Sequence, residues 1–138
     1  MATRSAGTRR PTSGLALLLF GLPAVVEPLV VGVAATGFDE IADASPFGAQ
    51  GTFAIGVVAA VFSAIGTVMA WRGVDGLIRL IMAILLAIFA GLIAAMALAL
   101  LFAGGVTLIF AVLLLHAAFS IVMITQALLR SKPSSEGR

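Results

Sequence analysis

The chain contains no cysteine and only 10% charged residues. The first absence excludes disulfides and thiol chemistry and removes the usual ligands of iron–sulfur and structural zinc sites. The second excludes an ordinary soluble domain, in which about a quarter of the residues are charged and about half are apolar. His116 is the only histidine, too little for a metal centre that takes three or four ligands, so neither a metal nor another cofactor is expected. Nucleophile elbows, phosphate loops and histidine–metal motifs are missing as well, and the connecting segments are short. The expectation is a protein that is not an enzyme.

What is present is apolar. Hydrophobic side chains make up 62% of the 138 residues, and the mean hydropathy is +1.22. A membrane-spanning helix takes about 20 apolar residues, so a chain of this length holds four spans and two short tails, with no folded soluble domain. The fold class expected is an all-α integral membrane protein, a compact four-helix bundle of two hairpins with both termini in the cytoplasm of a cell membrane. A net charge of +2 does not argue for nucleic acid, because no basic run is longer than Arg9-Arg10. The bases read instead as orientation signals. The partners expected are lipid and either other membrane subunits or further copies of the chain.

Residues 1–13 are polar, carry three arginines and have no hydrophobic period, which makes them a disordered tail. The first span is 14–35. Its start also fits a signal peptide, with Arg4, Arg9 and Arg10 ahead of the apolar run and Val33-Ala34-Ala35 as a cleavage site. Against cleavage, the run exceeds an apolar signal core of about 7 to 15 residues and contains an acid and two prolines. Residues 36–51 form the one sizeable loop, with Asp39, Glu40 and Asp43 unmatched by any base. It reads as solvated, with Phe38, Ile41 and Phe47 spaced for a single amphipathic turn on the membrane surface. The second span, 52–71, ends in Trp71 and Arg72, an interfacial aromatic followed by a base, and Arg79 is near enough to the next span's start to snorkel.

From Leu80 to Leu129 the sole ionisable group is His116. A single helix over that stretch would be about 75 Å long against a hydrocarbon core of about 30 Å, so the chain must turn once. Ala103-Gly104-Gly105 is the breaker, giving spans 76–102 and 106–129 and a second basic tail, 130–138. With four spans every Lys and Arg falls on one side, and by the positive-inside rule that side is the cytoplasm. A faint internal echo, Ala60-Val61-Phe62-Ser63 against Ala117-Ala118-Phe119-Ser120, would relate two hairpins by an axis along the membrane normal.

Helices in lipid gain nothing hydrophobic by meeting, so small residues that let backbones approach supply much of the association. Ala83, Ala87, Gly91, Ala95 and Ala99 recur every four residues in the third span, and Gly56, Ala60 and Ala64 make a shorter ridge in the second. The ridge is expected to pack inside the bundle, or else to receive a partner chain.

One acid, Glu27, stands between Pro23 and Pro28 in the first span. A charge near the bilayer centre costs on the order of 2.5 to 3.5 kcal/mol, which makes an intramembrane acid a functional candidate by default. The prolines offer a structural account: they free the carbonyls of Leu19 and Ala24 and kink the helix, and a protonated Glu27 would cap the latter. The alternative uses depth. Counting along ideal helices places Glu27 roughly 10 Å, and His116 and Ser63 roughly 16 Å, below the outer span ends, with Ser120 one turn from His116. Glu27, His116, Ser63 and Ser120 are therefore the candidate intramembrane polar cluster. Two functions fit these residues: a non-enzymatic accessory, assembly or structural subunit acting through helix contacts, and an oligomeric proton-linked transporter or channel using Glu27 and His116.

Overall fold

A computed structural model of the chain describes residues 14–130, so the expected tail 1–13 and all of the expected tail 130–138 but Arg130, which ends the last helix, lie outside the described residues. The described part is all-α: α1 (Gly14–Gly37), α2 (Asp39–Ala44), α3 (Gly48–Arg72), α4 (Leu77–Ala103) and α5 (Thr107–Arg130). The four long helices are apolar enough to cross a membrane. At 24 to 27 residues each, they are about 36 to 40 Å long, enough for a hydrocarbon core of about 30 Å with a margin at the surfaces. They run up and down as two hairpins, α1 with α3 and α4 with α5, which meet mainly through α1 and α5. One end of the bundle carries Arg72, Arg79 and Arg130, and α2 lies at the other.

Glycine sets the spacing of the first hairpin. A Cβ on Gly56 would stand 2.4 Å from the Pro28 carbonyl oxygen, one on Gly32 would stand 3.2 Å from the Phe53 Cα, and one on Gly21 would meet the Thr67 side chain at 2.9 Å. The two backbones therefore touch along most of their length, the arrangement that favours association in lipid. α1 runs unbroken through Pro23 and Pro28. The second hairpin is filled differently, by the buried side chains of Leu86, Ile93, Met96, Leu100, Leu114, Ile121 and Ile124.

Two expectations are corrected. The loop 36–51 is largely helical: α2 occupies Asp39–Ala44, with its acids in the first turn where the helix dipole favours them, and α3 begins at Gly48. Ile41 is fully buried, closing the end of the bundle where the amphipathic-turn reading had it lie on the membrane surface. A hydrogen bond of 2.6 Å between the buried hydroxyls of Ser45 and Thr52 ties this segment to α3. The small-residue ridge of α4 is the second correction. Ala83 is buried, but Ala87, Gly91 and Ala95 face outward and Ala99 is half-buried. A Cβ on Gly91 would meet nothing within 4 Å. The volume between α4 and its neighbours is wide enough to need Leu86, Ile93 and Leu100, and those residues define the inward face. Of the shorter ridge, Gly56 and Ala60 are buried and Ala64 is exposed.

Candidate functional site

α1 buries a stripe of Leu17, Gly21, Ala24, Pro28, Val31 and Ala35, a spacing of three and four that is one face of a helix. Glu27 is at the edge of that stripe, on the side of α5. On α5 the buried stripe runs through Ala111, Leu114, Ala117, Ile121 and Ile124, and His116 is just outside it. The two edges meet along the seam where the hairpins join. His116 Nδ1 is 2.9 Å from Oε1 of Glu27 and 3.0 Å from Oε2. With the carboxylate ionised, Nδ1–H donates across both oxygens; with Glu27 protonated, its O–H donates to Nδ1 instead. The Glu27 carboxyl therefore bonds to His116 Nδ1 and does not donate to the Ala24 carbonyl.

The pair sits at mid-depth. Glu27 is ten residues before Gly37 and His116 nine after Thr107, about 15 and 14 Å from the α2 end of the bundle. The Glu27 side chain is 18% exposed and that of His116 is 54% exposed. The imidazole thus lies on the outer wall of the bundle, where lipid or another protein would meet it. Among the described residues its Nε2 makes no hydrogen bond.

Aromatic pairs lie on either side along the same seam. Phe20 and Phe119 meet edge to face with centroids 6.2 Å apart towards the arginine end, and Phe38 and Phe110 meet at 6.4 Å towards the α2 end. Aromatic contacts of this kind add about 0.5 to 1.5 kcal/mol beyond area burial. These four phenylalanines escape a reading based on charge or small-residue spacing. The one signal for them is that Phe20 and Phe38 lie seven and eleven residues from Glu27, and Phe119 and Phe110 three and six from His116 on the antiparallel helix. Beside the seam near the α2 end is an apolar cleft of about 470 Å³, lined by Leu29, Val30, Val33, Ala34, Phe38 and Phe110. A second apolar cavity, of about 400 Å³, lies between α4 and α5 against Ala87, Gly91, Ala94, Ala118 and Val122.

Ser63 and Ser120 do not join the pair. Both are fully buried, and neither hydroxyl has a hydrogen-bond partner among the described residues. Ser120 is one turn from His116, but four residues rotate a helix by about 40° beyond a full turn, enough to carry it across the edge of the buried stripe. Of the interfacial residues, Trp71 and Arg72 are exposed and Arg79 is half-buried at the same end. The chain matches no family model, no curated protein and no solved structure.

Proposed function

We propose that this protein is a non-enzymatic subunit of a cell membrane that works by lateral contact with other membrane-embedded protein, its arginine end and both termini in the cytoplasm and its α2 end outside. The observation that carries this reading is the half-exposed imidazole at mid-depth on the outer wall. Within the hydrocarbon a polar atom without a partner costs several kcal/mol, so an outward Nε2 favours a protein neighbour over lipid. The test is site-specific photocrosslinking in native membranes from Val112, one turn from His116, with Ile88 on α4 as the control position. A defined adduct from Val112 and none from Ile88 is the expected result. A protein that runs as a lone monomer and yields no adduct at either position refutes the reading.

A second reading rests on the pair's chemistry. Glu27 and His116 join an acid to a base by one hydrogen bond at mid-depth, the kind of pair that a proton-linked transporter or channel uses. Glu27→Gln in reconstituted vesicles decides it: loss of a proton-driven flux supports transport, and an unchanged flux removes it.

A further inference from the structure

We infer that the wall formed by α1 and α5 binds a second copy of this chain, about a two-fold axis along the membrane normal, with each His116 Nε2 directed at the Glu27 carboxylate of the other copy. The inference rests on the reading of the protein as a laterally associating subunit and names the partner at that same pair.

Three observations lead to it. The wall carries one hydrogen-bonding acid and one base and no other ionisable group, since the remaining long-helix charges among the described residues are Arg72, Arg79 and Arg130 at the far end. Both members lie at nearly the same depth, so the line from Glu27 to His116 lies in the membrane plane. A two-fold axis along the normal reverses every vector lying in the membrane plane. Two such pairs facing one another therefore come together antiparallel, acid opposite base. An interface of this symmetry must be self-complementary, the same patch serving both sides, and a patch holding one acid and one base at equal depth meets that condition.

The second observation is the availability of the atoms. Nδ1 is committed to Glu27 within the chain, while Nε2 makes no hydrogen bond among the described residues, and the His116 and Glu27 side chains are 54% and 18% exposed. An imidazole donates at both ring nitrogens when protonated. Two copies thus close a ring of four groups, Glu, His, Glu, His, in which each imidazole bridges its own carboxylate and its neighbour's and each carboxylate accepts from two rings. No polar atom of the pair is left facing lipid.

The third is the shape of the surroundings. Val112 and Phe119, 60% and 55% exposed, lie one turn to either side of His116, and the apolar cleft beside Phe38 and Phe110 lies on the same wall. Bulky side chains around a polar centre, with a recess beside them, are the layout of an interface in which an apolar rim keeps the polar contact dry. The apolar rim alone would take any helix; the paired acid and base select a copy of the same chain.

The absence of cysteine makes the test direct. Single variants Val112→Cys and Ile88→Cys, otherwise wild type, are reconstituted as full-length protein in phosphatidylcholine vesicles and oxidised, and self-association is measured in parallel by energy transfer between labelled copies. The expected result is a disulfide-linked dimer from the residue 112 variant and none from the residue 88 variant. Glu27→Gln should weaken self-association about ten-fold, the scale of one or two interhelical hydrogen bonds in a bilayer. The exchanged variant, Glu27→His with His116→Glu, should restore it, which a purely structural role for either residue would not do. Helix content by circular dichroism confirms that each variant is folded. Cross-linking from residue 88 alone overturns the inference and assigns self-association to the α4 wall. A monomer in vesicles whose residue 112 still forms a defined adduct in native membranes overturns the second copy and leaves the subunit reading standing. A monomer with no adduct overturns both.

Discussion

Substituting Gly56 with alanine tests the central packing contact with a single methyl group. The added Cβ would lie 2.4 Å from the Pro28 carbonyl oxygen and 3.2 Å from its carbon, with the Gly32 Cα at 3.5 Å. All three are backbone atoms of the facing helix, so no side-chain rotation relieves the clash. α1 and α3 must instead separate along the whole line of contact that Gly21, Gly32 and Gly56 create. Overpacking of this kind costs about 1 to 3 kcal/mol, and separation also forfeits dispersion contacts that lipid replaces only in part. A loss of about 2 kcal/mol changes the folded-to-unfolded ratio by about 30-fold. Gly91→Ala is the matched control: it adds the same methyl at a position with nothing within 4 Å, and it replaces the poorest ordinary helix former with the best. Reversible unfolding in mixed micelles of mild detergent and dodecyl sulfate, followed by circular dichroism, measures both. Gly56→Ala should unfold at clearly lower dodecyl sulfate and Gly91→Ala at the same level or higher. Equal midpoints for the two variants would refute the close contact of α1 with α3.

The same assay serves three further predictions. Ser63→Ala and Ser120→Ala should each stabilise the bundle, because burying a hydroxyl without a partner costs about 1 to 3 kcal/mol and neither hydroxyl has one; destabilisation by either would show that it has a role in holding the fold. Thr52→Val should cost about 1 kcal/mol by removing the hydroxyl that pairs with Ser45, whose Oγ then keeps only the Phe47 amide as partner, and adding Ser45→Ala should cost less than its effect alone in a double-mutant cycle, where strict additivity would disprove the coupling. The double variant Glu27→Leu with His116→Leu should fold at least as stably as the parent, since it removes from the outer wall an imidazole nitrogen that has no partner within the bundle. It should nevertheless lose the dimer, and a collapse of helix content would make the pair a folding element.

How much of this was legible beforehand differs between the fold and its faces. The four spans follow from apolar runs closed by Trp71-Arg72, Gly104-Gly105 and Arg130, and the helix ends differ from expectation by at most four residues. Gly73 ends α3 in a left-handed conformation at φ 73°, with its amide donating to the Met69 carbonyl at 2.9 Å, so the turn read from Gly73-Val74-Asp75-Gly76 has a structural cause. The segment after α1 was misjudged because Asp39 and Glu40 suggest solvent, while they also favour the first turn of a helix that inserts Ile41 into the bundle. Which way each long helix faces was harder to read. In water, inward and outward residues differ in polarity, but in lipid both are apolar and the period carries little information. Ala87, Gly91 and Ala95 show the consequence: their spacing is regular, yet it identifies a smooth face without saying whether that face points in or out.

The polar pair divides in the same way. Depth is a one-dimensional count along each helix, so a match between Glu27 and His116 was available from sequence, and the observed contact at 2.9 Å agrees with it. Rotation about the axis is a second coordinate that counting does not supply. It places His116 and Ser120, one turn apart, on opposite sides of a boundary: the serine inside with its hydroxyl unsatisfied, and the imidazole outside with one nitrogen free. That rotation separates the two functions weighed for this chain. Were the pair turned inward among Ser63 and Ser120, a proton would have polar groups to move along. Turned outward at mid-depth, the pair leaves its free nitrogen to hydrocarbon or to a neighbour, and since an orphaned polar atom there costs more than the about 1 to 2 kcal/mol of an interhelical hydrogen bond, the pair adds no net stability to the isolated bundle. On the proposed reading the pair gains an energetic advantage when a second protein meets the wall formed by α1 and α5, which favours a contact over a conduit.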